Sequence, residues 1–283
     1  MYDIYYEGAD KERINFCQWP YMVTGGDLFD GSYDEIEDDN RIQGFEKKIT
    51  SKTLNIEIAK TGLISLEKAV DTLEDITEKD IVNMTPGRLY VGESYMKCWI
   101  SKSEKGRWIY DLEQISADLK VVSDYPYWIK EETFRYYKQQ EDSVEEYLDY
   151  PYDMPHDYKK TGSDQTINNN NHVPSGFKMI IYGPCINPLI RINNHVYELK
   201  TELQESEYII IDSSTRYARD RKIIKVKKDG TEENVFNSKN NESSIFEKIP
   251  VGISTVSWDG SFGFDIILFC ERGTPKWTSM LRT

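Results

Sequence analysis

Leu54, Ile56 and Ile58 alternate with Asn55 and Glu57. That period of two puts one face of a strand on a core and the other toward water. Ile42 to Ala59 reads as two such strands joined near Thr50-Ser51-Lys52. From Ser65 the period changes. Leu66, Ala69, Val70, Leu73 and Ile76 fall at helical spacing, and Ser65 stands where a side chain caps the first turn. Thr77-Glu78-Lys79-Asp80 resembles a second capping box, so the helix is expected to break there and resume briefly toward Val82. Thr85-Pro86-Gly87 ends it. Arg88 to Ile100 returns to a strand, Lys105-Gly106 reads as a turn, and Trp108 to Val122 reads as a further strand with Ile115, Ala117, Leu119 and Val121 on one face. Tyr125-Pro126-Tyr127-Trp128 closes the unit. The first half is therefore α+β: an antiparallel sheet or sandwich with one principal helix near residues 65–82.

Residues 24–40 interrupt this pattern with glycines and with seven acidic residues between Asp27 and Asp39. Clustered like charges favour a solvated loop, and the order of ligands that a calcium loop needs is missing. Residues 136–176 form the clearest boundary. They are polar, rich in Tyr, Pro and Asp, and run through LDYPYDMPHDY to an Asn168–Asn171 run. From Phe177 short strands recur with turns at Gly183-Pro184, Asn193-Asn194, Asp229-Gly230 and Asp259-Gly260. Repeated short strands without helix predict an antiparallel sandwich. The densest strand and turn signals lie in Ser244–Trp277, where Phe264 to Phe269 is apolar at nearly every position and Gly273 and Pro275 mark the exit. The expected fold class is mainly β, with domains at 1–135 and 136–283.

Composition narrows the functional classes. The formal net charge of −14 argues against sequence-independent binding to phosphate backbones. Residues 1–135 carry 27 acidic and 17 basic side chains, a net of −10. Cys17, Cys98, Cys185 and Cys270 are far apart and read as buried free thiols. The start MYDIYYEGAD lacks the apolar core of a signal peptide, and no apolar run reaches the length of a membrane span. A soluble protein made in a reducing cytoplasm is expected.

Candidate chemistry is sparse. Dinucleotide, P-loop, zinc-protease, nucleophile-elbow and CxxC patterns are all missing from the sequence. His156 and His172 sit in the boundary region, too far apart for a convincing metal pair, and His195 lies in NNHVYEL as a turn residue. Trp19, Tyr21, Tyr125, Tyr127 and Trp128 have rings suited to stacking on sugars or bases, but such rings more often fill cores or subunit contacts. Catalytic, metal and cofactor-binding residues are therefore expected to be none, and the protein is not expected to be an enzyme.

One resemblance adds to this. The Ser244–Trp277 run, with IPVG (249–252), VSW and the closing Glu271, Arg272, Pro275 and Trp277, resembles the distal tail protein family of long-tailed phages. The YGP-x-x-NP pattern at Tyr182–Pro188, the DYPYDMPHDY run after EETFRY, and the QGFEKKITSKTLNIEIA strands are similar to the same family. The resemblance implies an N-terminal β domain with a helix that closes into a hexameric ring. It also implies a C-terminal galectin-like sandwich facing outward. The ring would join the tail tube protein to the tail-tip protein at the distal end of the virion tail. It would let DNA pass through its lumen without specific binding, and would carry receptor-binding or side-fibre proteins. An acidic first half suits such a lumen, because like charge does not retain DNA. No membrane partner and no cofactor are implied. The alternative is a carbohydrate-binding adhesion module of the host-recognition apparatus, although the ordered His, Asn, Arg and Trp set of galectin sugar sites is not traceable here.

Overall fold

The computed structural model describes residues 3–106, 113–139, 165–213 and 221–276. The chain forms two compact units. The first holds Met1–Lys130 and resumes at Glu271; the second is Glu131–Cys270. The chain thus crosses between units twice, whereas the sequence suggested a single boundary after residue 135.

The first unit contains β1 (Ile4–Glu7), β2 (Arg13–Asn15), β3 (Cys17–Gln18), β4 (Tyr21–Gly26), β5 (Asp34–Asp38), β6 (Arg41–Glu46), β7 (Thr50–Ala59), α1 (Leu66–Val82), β8 (Gly87–Val91), β9 (Ser94–Lys105) and β10 (Gln114–Ser123), and the start of β11 (Trp128–Tyr136). Its main strands form a circuit. β1 pairs β8, β8 pairs β9, β9 pairs β10, β10 pairs β7 and β7 pairs β4, all antiparallel. One short segment closes it. Arg13–Asn15 pairs with β1, Cys17–Gln18 pairs with β4, and Phe16 between them joins both. Phe16 N donates to Ile4 O at 2.8 Å, and Val23 N donates to Phe16 O at 2.7 Å. A circuit of this kind leaves few open strand edges.

The alternation in the sequence decides what fills the circuit. Leu54, Ile56 and Ile58 point inward with Ile115, Ala117, Leu119 and Val121 of the partner strand, and all are buried. α1 adds Ala69, Leu73 and Ile76 to the same core. Ser65 caps it, accepting from Lys68 N. The helix does not break at Thr77–Asp80. Thr77 Oγ1 bonds back to Glu74 O at 3.1 Å, and Asp80 is claimed by groups outside the helix. Arg88 to Ile100 also differs from expectation: it is two strands, β8 and β9, with Gly92 at φ 60 in the turn between them.

The second unit takes the rest of β11 and adds β12 (Gln165–Asn169), β13 (Gly176–Tyr182), β14 (Cys185–Ile186), β15 (Leu189–Ile192), β16 (His195–Glu198), β17 (Glu202–Leu203), β18 (Tyr208–Asp212), β19 (Lys222–Val226), β20 (Glu232–Asn234), β21 (Gly252–Ser257) and most of β22 (Phe264–Arg272). One sheet has the order β20-β19-β18-β13-β22-β11, and the other has the order β12-β21-β15-β16. Phe177, Met179, Ile209, Ile211, Phe264, Ile266 and Leu268 of the larger sheet share one core with Ile167, Ile190, Ile192 and Val256 of the smaller. This is the mainly-β architecture expected, a two-sheet antiparallel sandwich. The Asn193-Asn194 hairpin forms as read, with Asn193 at φ 51.

Candidate assembly surface

Residues 33–49 hold the least self-sufficient feature of the first unit. β5 pairs only with β6, from Asp34↔Glu46 to Asp38↔Arg41, and the two make a separate two-stranded sheet. Asp39 and Asn40 form its tip at φ 45 and φ 59. Two central residues of positive φ suit the tight turn whose twist matches paired strands. The sequence reading put a solvated loop here and paired residues 42–46 with β7, so it missed the hairpin. The usable signal was Asp-Asn between YDEIE and RIQGF: a turn pair flanked by strand-forming residues.

This hairpin buries little of itself. Ile36 is 44% exposed, Ile42 58% and Phe45 62%, with Ile49 at 70% just beyond. An isolated two-stranded hairpin is marginal in water, which makes these exposed apolar side chains a candidate contact surface.

Both legs of the hairpin are fastened at the root. On the incoming leg, Asp27 exchanges bonds with β7: its N donates to Thr53 O at 3.1 Å, and its Oδ1 accepts from Thr53 N at 2.6 Å. Lys52 Nζ adds bonds to Asp27 O at 3.0 Å and Asp30 O at 2.5 Å. On the outgoing leg, Lys47 is only 8% exposed. Its ammonium donates to Gly273 O at 2.9 Å. It also lies 4.9 Å from the ring centre of Tyr33 and 5.9 Å from that of Tyr127. Burial, and then the charge of Lys52, push its pKa below the usual value. Tyr125 Oη donates to Glu271 Oε1 at 2.5 Å. Glu271 and Arg272, singled out as closing the second sandwich, thus lie in the first unit. Trp277 falls outside the described residues, as do His156 and the DYPYDMPHDY run.

The other candidate aromatics are mostly structural. Tyr21 is buried and its hydroxyl donates to Ala69 O at 2.8 Å, Trp128 is buried in the first core, and Trp19 is 46% exposed. Cys98, Cys185 and Cys270 are buried free thiols, and Cys17 is half-buried. Burial pushes the Cys98 thiol up to about 12 and the Cys185 thiol up to about 11, the opposite of an activated nucleophile.

The second unit has an open cleft of about 370 Å³ lined by Pro174, Ile192, Asn193, His195, Tyr197 and Pro250, among others. Several of its polar groups are engaged within the chain. Asn193 Oδ1 accepts from Thr255 N at 2.9 Å, His195 Nε2 lies 2.7 Å from Ser244 O, and Tyr197 Oη donates to Glu247 O at 2.9 Å. His172 is exposed. Among the described residues no three His, Cys, Asp or Glu side chains are grouped to hold a metal, and no helix is long and apolar enough to cross a membrane.

Neither a family profile nor a curated protein sequence matches this chain. Solved structures do match it over nearly the whole length. The fold is that of phage tail-hub proteins. The Dit protein (gp 19.1) of phage SPP1, described as a paradigm of the hub adsorption apparatus in phages infecting Gram-positive hosts, aligns at a TM-score of 0.58 and 5% identity, covering 96% of this chain and 99% of that one. The phage P2 baseplate in its activated conformation aligns at 14% identity, with a TM-score of 0.61 in the Ca structure and 0.62 in the Sr structure. In both, 97% of this chain and 99% of the matched chain are covered.

Proposed function

We propose that this chain is a structural distal tail protein, a hub component at the tip of a long phage tail. The observation that carries the reading is the end-to-end fold correspondence with tail-hub proteins, which extends across both units rather than one common sandwich. In this reading six copies form a ring through the first unit, between the tail tube protein and the tail-tip protein. The second unit is the outward platform for receptor-binding or side-fibre proteins. DNA crosses the lumen without specific contacts, and the work is assembly rather than catalysis. The β5–β6 hairpin supports self-association, because Ile36, Ile42 and Phe45 stay largely exposed among the described residues and would gain burial against a second copy.

The test is light scattering and electron microscopy of purified protein, alone and mixed with tube and tip proteins from the same particle. Rings of one fixed copy number are expected. A strictly monomeric species under all these conditions would falsify the reading. The adhesion alternative is supported only by the sandwich and its cleft, and the internal engagement of Asn193, His195 and Tyr197 weighs against it.

A further inference from the structure

We propose that the segment Glu271–Pro275 is a clasp that fixes the root of the β5–β6 hairpin and so sets the posture in which the hairpin meets its partner. The inference rests on the self-association reading for its consequence, but the clasp itself is read from contacts within the first unit.

The two legs of the hairpin are held by different parts of the chain. The incoming leg is fastened locally, to β7, through Asp27, Asp30, Lys52 and Thr53. The outgoing leg is fastened through Lys47 to Gly273, residues 226 positions apart. Lys47 is the side chain best suited to this task on that leg. Its stem is covered, and its charge is met by one carbonyl and two tyrosine faces. A buried ammonium needs such partners, and removing them is costly.

Two glycines show how closely the parts fit. A β-carbon on Gly273 would collide with the Tyr33 hydroxyl and lie 3.1 Å from Lys47 Cε. One on Gly31 would collide with Thr274 Cγ2. Residues 31, 33 and 47 bracket the hairpin, so the segment 273–274 touches it on both sides of its root. Tyr125, bonded to Glu271, anchors the start of the clasp on the first unit. Glu271 and Arg272 also end β22, whose earlier residues are a strand of the second unit. The hairpin's fastening is therefore covalently continuous with that unit, through one strand.

Amide hydrogen exchange on the full chain at monomeric dilution tests this. Lys47→Met keeps the stem and removes the ammonium; Gly273→Val forces the carbonyl away. Both are expected to speed exchange across residues 34–46 by roughly tenfold or more while β7 and β10 stay at wild-type rates. Wild-type rates at 34–46 in the Lys47→Met protein would overturn the clasp. So would equal acceleration of β7 and β10, which would make the contact a general prop for the first unit. If Gly273→Val does not fold, Lys47→Met decides alone. A second arm measures assembly at matched concentration, where Lys47→Met is expected to lower the ring fraction. If wild-type protein forms no ring, the self-association reading fails, and the exchange result still scores the clasp.

Discussion

The Tyr6 hydroxyl donates a 2.6 Å hydrogen bond to Asp80 Oδ2, joining the first strand of the chain to the last turn of its helix. Asp80 is 2% exposed, and its other carboxylate oxygen accepts from Ala9 N at 2.9 Å. Burial holds the phenol protonated well above its ordinary range. Tyr6→Phe leaves a buried carboxylate with one donor fewer, which is expected to cost about 1–3 kcal/mol. Gly87→Ala attacks the same point from the other side, because its methyl would collide with the Tyr6 hydroxyl and sit 2.8 Å from Asp80 Oδ2. Urea unfolding of each variant should show the first unit's transition moved to lower urea and the second unit's unmoved.

The hairpin prediction separates assembly from stability. Ile42 and Phe45 are exposed within the chain, so Ile42→Asp with Phe45→Asp should shift the melting behaviour little, each within about 0.5 kcal/mol. The double variant should nevertheless lose self-association in sedimentation velocity. Rings that persist at the wild-type concentration would place the interface elsewhere.

Trp258 anchors the second unit. Its ring meets Tyr136 at 5.8 Å and Phe264 at 5.1 Å, both edge-on, and its Nε1 donates to Phe262 O at 2.9 Å. Trp258→Ala should lower the second unit's stability by about 3 kcal/mol. Calorimetry should then show one transition displaced downward and one retained, and a joint loss of both would mean that the units unfold together.

Acid should weaken the second unit through Glu207. The bond from Lys225, 2.8 Å away, together with the backbone bond from Gln204, holds this carboxyl below the usual glutamate range. A depressed pKa stabilises the fold above the unfolded value of about 4.3, and the contribution disappears as pH falls through the folded value. Glu207→Gln should therefore lower stability at neutral pH and flatten the decline of the second unit's midpoint below about pH 4. An unchanged acid limb in that variant would show that Glu207 does not report on folding.

Strands with one buried face were legible from sequence, because burial writes itself as alternation. Leu54, Ile56 and Ile58 belong to this kind, as do the four inward residues of β10. Features decided by distant partners were not. Thr77-x-x-Asp80 has the form of a cap, but Tyr6 and Ala9 compete for the carboxylate from more than seventy positions away, and the helix runs on. The hairpin was hidden for the opposite reason. Among the described residues it buries neither face, so no apolar alternation marks it, and its acidic residues read as loop. Glu271–Pro275 was assigned to the nearer domain because sequence proximity is the default. The bonds of Lys47 and Tyr125 place it with the first unit.

The 226-residue separation between Lys47 and Gly273 also sets a clock. Ribosomes add about 5–20 residues per second, so the hairpin leaves the exit tunnel roughly 10–50 seconds before its fastening exists. During that interval the hairpin of each nascent chain lacks its final hold. The hairpin's fastened posture therefore becomes available only after the second unit has been synthesised.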